Sequence, residues 1–378
     1  MRPGPMRVCI DAVPLLVPSA GIKSYLYHWI LSLRNLCGSQ LKLFPFLRKF
    51  GPLDHEHSVC GALPTLARLA YLNLLNLRDN AVLDWVGPKV DVFHATKLLY
   101  PPKKCRITAT LHDATCWVVP EMHTAANVKA DKQFAADVLS RADGLIAVSR
   151  HTRADAIQFM RLNPDRIEVI YPGVADAYFQ ADSESARAAR QKFGLTREYI
   201  FFEGTIEPRK NLSRLLDAYA SLPQPLREEF SLVIAGFPGW ANEELLKRIA
   251  SKPPGVRYLG YVPEPWVPGL FAGATVFAFP SLYEGFGLPL VQAMAAGVAT
   301  ITSHVSALPE VAGDAAELID PLNTAELAAA LAKLLTSPGL RAKLSVSGRK
   351  RVEQYRWDRC ALQTIQYFER IAGRSLNS

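Results

Sequence analysis

The 378-residue sequence lacks the paired cysteines and short motifs that mark the commonest metal, ATPase and hydrolase sites. Its six cysteines stand singly, with no CxxC pair, which argues against a zinc site or a disulfide framework and favours a reducing compartment. It has no Gx4GK[ST] phosphate loop, no GxSxG elbow and no HExxH motif. Since no Asp-x-Asp pair occurs either, a divalent ion held by paired carboxylates is not expected.

Long apolar runs are missing as well. No segment approaches the roughly 18 uninterrupted apolar residues that a membrane-spanning helix needs. Arg2 and Arg7 precede a short apolar stretch, but Asp11, Pro14 and Pro18 interrupt it, so it does not resemble a signal peptide. We therefore expect a cytoplasmic protein.

Charge is distributed unevenly along the chain, whose net charge is +8. Residues 1–180 contain 21 Lys and Arg against 15 Asp and Glu, whereas the remainder contains 22 against 20. The basic excess in the first half fits either a solvated surface or a partner that is anionic or membrane-proximal. A nucleic-acid partner is not expected.

The length and the apolar pattern predict an α/β protein of two domains. Short apolar runs alternate with helical patterns throughout, which is typical of parallel sheets covered by helices. We expect strands in 6–11, 90–95, 106–113, 144–149 and 167–173, then a new series in 199–204, 230–236, 256–262, 275–281, 298–303 and 316–320. We predict a first domain over 1–180, a second over 190–355, and a C-terminal helix over 356–378.

Polar residues follow several of these strands at their carboxyl ends. The loops after parallel strands gather at one edge of a sheet, where ligands of such folds bind. Gly21 follows the first strand, His112 and Asp113 end the third, and the ranges 203–210 and 284–288 follow two strands of the second series. The two domains are thus expected to face each other across a cleft lined by these residues.

The segment "GTIEPRKNLSRLLDAY" (204–219) combines a glycine after a strand, a proline turn and two adjacent cations, Arg209 and Lys210. Asn211 is a good helix N-cap, and free backbone N–H groups at a helix start add to the two charges. A phosphate group satisfies all of these groups, although a solvated helix start has the same composition.

The segment "EGFGLPLVQAMAAG" (284–297) places an acid, Glu284, before a glycine-rich turn into a helix. Gly285 and Gly287 allow backbone amides to approach a ligand, and Pro289 suits the first helical turn. Donors for phosphate beside an acceptor for hydroxyls describe a sugar-phosphate site. The alternative is a structural turn with a solvated glutamate.

Two further features remain open. His112 ends an apolar strand, a position in which a structural histidine is more common than a catalytic one. Residues 63–86 are strongly apolar with Arg68 and Arg78 interspersed. They favour a core helix, but a helix that meets lipid or a hydrophobic acceptor has the same composition.

Taken together, these segments resemble the retaining glycosyltransferases of family 4, which have the GT-B fold of two Rossmann-like doubly wound domains. The resemblance runs from "SAGIKSYLYHWI" through "ADGLIAVSRHTRADAI", "GTIEPRKNL", "LVIAGFPGW" and "FAFPSLYEGFGLP" to "ITSHVSALPEVAGDAAELIDPLN". The second-domain motifs are most similar to those of bacterial mannosyltransferases that build surface polysaccharides. The resemblance also implies a C-terminal helix, around Trp357, that crosses back to the first domain.

The resemblance implies a role for each matching residue. Arg209 and Lys210 match the cations that hold the donor diphosphate, and Glu284 matches the acid that binds the donor sugar. His112 matches a histidine at the reacting sugar. Gly21 matches the glycine beside the diphosphate, and Gly204 matches a glycine at the end of a strand. Tyr261 and Val262 match the nucleobase contacts. The loop around sugar and phosphate is matched by Gly285, Phe286, Gly287 and Leu288, and Gln292 stands at the position of the ribose contact.

Two positions depart from the family pattern. A second glutamate usually follows the first by eight residues and contacts the ribose, and here that position is Gln292. Glutamine keeps an acceptor oxygen, adds a donor and removes a charge. Phe237 stands where many relatives have a lysine, which predicts a less cationic nucleotide pocket.

The resemblance implies transfer of a hexose from GDP-mannose or a UDP-hexose to an acceptor hydroxyl, with retention and without a metal or other cofactor. The acceptor is a glycan, a glycolipid or a small molecule, and peripheral membrane contact through the first domain is compatible with it. Two alternatives stay open: a nucleotide-sugar epimerase of the same fold, and a sugar-nucleotide-binding protein that has lost catalysis.

Overall fold

The computed structural model describes residues 5–17, 21–45, 51, 58–75, 89–96, 101–102, 104–240 and 243–376, with only the backbone of 71–75. Its strands alternate with helices along the chain. The strands are β1 Val8–Asp11, β2 Leu41–Phe44, β3 Val92–Ala95, β4 Arg106–Leu111, β5 Gly144–Ala147, β6 Ile167–Val169, β7 Glu198–Glu203, β8 Phe230–Ala235, β9 Val256–Gly260, β10 Val276–Phe279, β11 Ala299–Ser303 and β12 Glu317–Ile319.

The α-helices fill the connections between these strands and follow the last of them. They are α1 Gly21–Cys37, α2 Ala62–Leu75, α3 Thr115–Val118, α4 Ala125–Asp137, α5 Arg150–Gln158, α6 Asp176–Phe179, α7 Ser183–Lys192, α8 Leu212–Ala220, α9 Gln224–Glu229, α10 Glu243–Ala250, α11 Val267–Ala272, α12 Leu288–Ala295, α13 Leu308–Ala312, α14 Thr324–Thr336, α15 Pro338–Val352 and α16 Trp357–Ala372. In the described part of the chain, no helix is both long enough and apolar enough to cross a bilayer.

The chain forms two compact units. Unit 1 comprises Met1–Pro120, Ala125–Gly173 and Trp357–Ser378, and unit 2 comprises Glu121–Thr124 and Val174–Arg356. The chain therefore leaves unit 1 after Gly173 and returns to it at Trp357, whereas the sequence predicts these crossings near residues 180 and 356.

Each unit contains a six-stranded sheet whose neighbouring strands are all parallel. The order in unit 1 is β2-β1-β3-β4-β5-β6, and the order in unit 2 is β12-β11-β10-β7-β8-β9. The second is the strand order of a dinucleotide-binding Rossmann fold. Its direction of winding reverses between β7 and β10, the point at which such sheets bind ligands.

Strand β2 is absent from the set that the sequence predicts. Its four residues carry one apolar–basic–apolar run, LKLF, and only Phe44 is buried, so its hydrophobic signal is weak. It forms because Val8 to Asp11 of β1 offer an unpaired edge, onto which residues 41–44 add in parallel register. Tertiary pairing thus decides this element.

The C-terminal helix, predicted over 356–378, begins at Trp357 and ends at Ala372. Helix α15 ends at Val352, and α16 begins at Trp357 after a short turn. Helix α16 packs within unit 1 on α1, where the Trp29 indole N–H donates to Thr364 Oγ1 at 3.1 Å. The Tyr367 hydroxyl donates to the carbonyl of Arg166 at 2.7 Å, which fixes α16 near β6.

Residues 62–70 of α2 contradict the expectation of a core helix. Although this stretch is mostly apolar, none of its side chains is buried, and Leu63 and Leu66 are 80% and 63% exposed. Residues 76–86 of the predicted segment lie outside the described residues. The core interpretation is therefore wrong for residues 63–70.

Candidate active site

The two polar segments of the second sequence series meet at the switch point of the unit 2 sheet. Arg209 and Lys210 lie in a 3-10 turn, Pro208–Lys210, after β7, and Glu284 lies in the loop after the neighbouring strand β10. The Leu282 N–H donates to the Arg209 carbonyl at 2.8 Å, which joins the loops directly. Strand order thus brings together residues that the sequence separates by about 75 positions.

Glu284 binds both cations. Lys210 Nζ lies 2.7 Å from Glu284 Oε1, and Arg209 Nη1 lies 2.6 Å from Glu284 Oε2. Arg209 Nη1 also donates to the Tyr283 carbonyl at 2.8 Å, and its Nη2 binds the Glu207 carboxylate. Glu284 and Lys210 are only 6% and 8% exposed, so these charges sit in a largely desolvated place.

The charges of this cluster decide the ionisation of Glu284. Burial alone raises the pKa of a carboxyl group, but Arg209 and Lys210 outweigh it and hold the Glu284 pKa below its usual value. Glu284 is therefore a carboxylate at neutral pH. Each of its oxygens, already bound to one cation, keeps a second lone pair that can accept a hydrogen bond from a ligand.

Asn211 shapes the turn in a way that differs from the expected N-cap. It adopts a left-handed backbone conformation with φ of 58° and occupies the N-cap position of α8, but its side chain caps no backbone N–H of that helix and instead accepts from the Arg214 side chain at 2.9 Å. Its amide donates instead to the Pro280 and Pro321 carbonyls at 3.0 and 2.7 Å. Asn211 therefore fixes the turn Pro208–Lys210, called the cationic turn below, against the loop after β10.

The glycine-rich loop follows Glu284 directly. Gly287 has φ of 97° and is the N-cap of α12, whose first turn contains Pro289. The Phe286 ring is buried edge-on against Tyr355 at 5.3 Å, so this loop can offer a ligand its backbone at Gly285, Phe286, Gly287 and Leu288. The Glu284 N–H donates to Ser306 Oγ at 2.9 Å, which leaves the carboxylate end of the side chain to the cations.

Two strand-end glycines allow the loops after β7 and β8 to touch. A Cβ on Gly236, whose φ is 144°, would lie 1.9 Å from the Gly204 carbonyl oxygen. A Cβ on Gly204 would lie 3.7 Å from Lys210 Cε. Gly236 therefore lets the two loops pack backbone to backbone where a side chain would separate them, whereas a Cβ on Gly204 would make an ordinary van der Waals contact.

Glu203, the last residue of β7, is a site group that the sequence indicates only as part of a range. Burial, together with the charges of Glu264 and Glu284, raises the pKa of Glu203 to about 7, while Lys210 opposes this shift. Glu207, 3% exposed, binds Arg209 and is a second such group. Strand-end position is the signal that could have identified Glu203, and adjacency to the cations could have identified Glu207.

The predicted nucleobase contacts lie beyond β9. Tyr261 stacks on Phe237 with ring centroids 4.9 Å apart and an angle of 20°, and Val262 beside them is buried. The Tyr258 hydroxyl donates to the Gly236 carbonyl at 2.9 Å, tying β9 to the loop that carries Phe237. Phe237 thus contributes an aromatic face where the family pattern has a lysine. Gln292, half-buried, lies in α12 one turn after Leu288.

The remaining two predicted residues belong to unit 1. Gly21 is the exposed first residue of α1. His112 follows β4, and its ring meets Tyr25 edge-on with centroids 4.8 Å apart. The structure therefore groups Arg209, Lys210, Glu284 and the glycine loop in one unit, and Gly21 with His112 in the other. No cluster of three His, Cys, Asp or Glu residues able to hold a metal occurs among the described residues.

Comparisons with known proteins agree with this architecture. The family model "Glycosyltransferase Family 4" matches residues 25–178, and "Glycosyl transferases group 1" matches residues 185–351. The O-antigen chain mannosyltransferase B of Escherichia coli is 32% identical over 281 residues, which cover 74% of each chain. The serotype-specific mannosyltransferase WbdA of Escherichia coli is 29% identical over 241 residues, 62% of this chain but only 30% of that one.

Among solved structures, the Anabaena protein HepE in complex with UDP superposes with a TM-score of 0.71 at 17% identity, covering 97% of this chain and all of that one. This likeness shows the fold, which is GT-B. The two family models and the relative that is 32% identical over 281 residues show that the chain belongs to the family-4 glycosyltransferases.

Proposed function

We propose that this protein transfers a hexose from a nucleoside diphosphate sugar to an acceptor hydroxyl, with retention of configuration and without a metal ion or other cofactor. The observation that carries the proposal is the group of Arg209, Lys210 and Glu284 at the switch point of the unit 2 sheet. Two cations and an ionised acceptor fit a ligand that has both phosphate and hydroxyl groups.

The diphosphate is bound by the cationic turn. Its negative charge grows as the sugar–phosphate bond breaks, and fixed positive groups in a desolvated place stabilise that charge most strongly. Arg209 and Lys210 are held in position by Glu284 before any ligand arrives, so little reorganisation is needed. Backbone amides of the loop 285–288 and the start of α12 add further donors.

The donor sugar lies against Glu284. A carboxylate that two cations keep ionised accepts hydrogen bonds from sugar hydroxyls well. The same two cations make it a poor nucleophile, and Glu207 is likewise paired with Arg209. This supports a front-face displacement over the double displacement of retaining glycosidases.

In that displacement, the acceptor oxygen forms a bond to the anomeric carbon while the bond from that carbon to the phosphate oxygen breaks. The proton of the acceptor hydroxyl passes to the departing phosphate oxygen, so no side chain need act as the base. His112 contributes at the reacting sugar, and Gly21 permits close approach of the diphosphate. Both assignments rest on the family pattern.

Stacked aromatic rings support binding of a nucleobase. Phe237 and Tyr261 form a flat pair next to Val262, and a base can extend such a stack. Gln292 then contacts the ribose through its amide. The names of the relatives favour mannose as the sugar, which makes GDP-mannose the first donor to test and a UDP-hexose the second.

An acceptor glycan or glycolipid of the cell surface is consistent with the same names. The exposed leucines Leu63 and Leu66 of α2 support peripheral contact of unit 1 with a membrane, since an apolar helix face in water is costly. All six cysteines are free thiols, which supports a reducing, cytoplasmic location.

A thermal-shift panel of sugar nucleotides tests the proposal. We expect GDP-mannose or a UDP-hexose to raise the Tm, and the stabilising compound to be hydrolysed slowly to the nucleoside diphosphate without an acceptor. Formation of a different sugar nucleotide would identify an epimerase instead. Tight binding with neither hydrolysis nor transfer would identify a binding protein.

A further inference from the structure

Unit 1 contains a cavity of about 280 Å³ next to His112. It lies at the carboxyl end of the sheet, where β1, β3 and β4 deliver Pro14, Thr96 and His112 to its wall. Most of the wall is apolar, including Ile22, Leu26, Leu111, Trp117, Phe134 and Met160. The cavity is therefore adjacent to His112, and its chemistry differs from that of the charged cluster in unit 2.

Several polar groups of the wall bind neighbouring groups, and Tyr25, His112 and Asp131 are further polar side chains of the wall. The two ring nitrogens of His94 lie 3.0 Å from the hydroxyls of Thr108 and Thr110. The Thr96 hydroxyl and N–H both bind the buried Asp11 carboxylate. A sugar placed here would lose hydrogen bonds to water and find few replacements, whereas an apolar group loses none.

Asp113 at the rim is also hydrogen-bonded within the protein. Its Oδ1 accepts from the Thr115 N–H at 3.1 Å and from the Thr115 hydroxyl at 2.5 Å. Burial lowers the pKa of His94 to about 3, and the charge of His112 acts in the same direction. His94 is thus a neutral imidazole at neutral pH.

A second groove borders the cavity. A groove of about 400 Å³ beneath α4 shares three wall residues with it: Trp117, Leu139 and Met160. Helix α4 buries only its last residue, Asp137, so it covers this region loosely. The rest of the groove wall includes Lys132, Arg161 and Arg166, so the groove, unlike the cavity, is lined in part by cations.

The exposed helix α2 is connected to the same side of unit 1. The Val59 N–H, just before α2, donates to the Leu15 carbonyl at 3.2 Å, and the neighbouring Pro14 lines the cavity. Leu63 and Leu66 project from the first turns of α2. The cavity and the exposed face of α2 are thus both connected to residues 14–15.

We propose that this cavity binds the apolar chain of a lipid-linked acceptor, with the reacting hydroxyl held at its rim near His112. The inference rests on the proposed glycosyl transfer and specifies the acceptor as an amphiphile with an alkyl or isoprenoid chain. Since a cavity of about 150 Å³ accommodates one benzene ring, 280 Å³ accommodates about ten carbon atoms.

Binding of two synthetic glycosides tests the proposal without any donor. The full-length protein is titrated calorimetrically with octyl and methyl α-D-mannopyranoside below the micelle concentration of the former. We expect the octyl compound to bind at least tenfold more tightly. Equal affinities would overturn the proposal, because both compounds carry the same sugar.

Cavity-filling variants locate the effect. Met160, half-buried, lines both cavity and groove, so Met160→Trp and the milder Met160→Phe should remove most of the octyl preference. Phe159→Trp is the matched control, since Phe159 is exposed and lies outside both linings. An octyl preference that survives in both folded Met160 variants would contradict the assignment.

The donor-induced Tm shift in the same variants separates this inference from the proposed function. The donor-binding loops belong to unit 2, so Met160→Trp should keep the shift that the sugar nucleotide produces in the wild type. Loss of the octyl preference with a preserved donor shift supports the cavity proposal. Absence of any donor shift in the wild type contradicts the proposed function and leaves the glycoside comparison valid.

Discussion

Lys210 Nζ lies 2.7 Å from Glu284 Oε1, although the two residues are 74 positions apart in the sequence. The contact joins the loop after β7 to the loop after β10 at the switch point of the sheet. Because both groups are nearly buried, each fixes the orientation of the other, and Arg209 and Lys210 together hold the pKa of Glu284 below its usual value against the effect of burial. The acid that we propose binds the sugar and the cations that we propose bind the diphosphate therefore form one ion-paired cluster.

Glu284→Gln should impair transfer far more than Gln292→Glu. The first change leaves Lys210 without its carboxylate and Arg209 with Glu207 alone, and it should lower turnover about 10² to 10³-fold, the effect of removing one fixed stabilising group. It should also lower the Tm, since unpairing a buried charge costs about 3–5 kcal/mol. Gln292→Glu should change nucleotide affinity less than tenfold. Turnover measured as nucleoside diphosphate release compares them, and the reverse order would reject the assigned roles.

Glu203 makes the stability of the protein depend on pH. Its pKa is about 7 in the folded protein and lower when unfolded, so the folded state retains a proton that the unfolded state has lost. Stability must then fall as pH rises from about 5 to 8. Glu203→Gln should flatten this part of the Tm profile, whereas Glu229→Gln, an exposed site, should not. Identical slopes in wild type and Glu203→Gln would contradict the assignment.

Truncation of the stacked aromatic pair should weaken nucleotide binding. Stacking of a base on an aromatic side chain is worth about 1–3 kcal/mol, so Phe237→Ala or Tyr261→Ala should raise the Kd of GDP or UDP by about 5- to 100-fold. Calorimetry measures it, with Phe159→Ala as an exposed aromatic control in unit 1. An unchanged Kd would show that the base binds elsewhere.

The glycine at the end of β8 should tolerate no side chain. Gly236→Ala places a methyl group 1.9 Å from the Gly204 carbonyl oxygen, so the two loops must separate. Gly260 also has positive φ, 67°, but nothing lies within 4 Å of its Cβ position, so Gly260→Ala should cost only about 1–2 kcal/mol of backbone strain. Chemical denaturation should therefore rank Gly236→Ala as clearly the less stable, and equal losses would show that strain alone acts at both.

Much of this architecture follows from local sequence. Runs such as FSLVIAG become buried parallel strands, and the polar residues at their ends meet because parallel strands share one edge. Asn211 shows the limit of local rules: the sequence predicts an N-cap, but its amide reaches Pro280 and Pro321, carbonyls that only the tertiary fold brings near. Strand β2 and the exposed face of α2 were missed because pairing partners and burial are properties of the whole unit.

Likewise, the sequence identifies Arg209, Lys210 and Glu284 as candidate ligands of a donor but does not show that they bind one another. Their ion pairs depend on the adjacency of β7 and β10, which the order of strands along the chain does not reveal. Local sequence does not predict the raised pKa of Glu203 either, because that pKa depends on burial and on the charges of Glu264 and Glu284.

Metal-independent transfer by the cationic turn is tested most directly by nucleoside diphosphate release. The release from the stabilising sugar nucleotide is measured in excess EDTA, with wild-type protein and with Lys210→Ala. We predict that the wild type keeps its rate in EDTA, while Lys210→Ala loses about 10² to 10³-fold and retains its fold by circular dichroism. Abolition of wild-type activity by EDTA, or full turnover in folded Lys210→Ala, would contradict metal-independent transfer by the cationic turn.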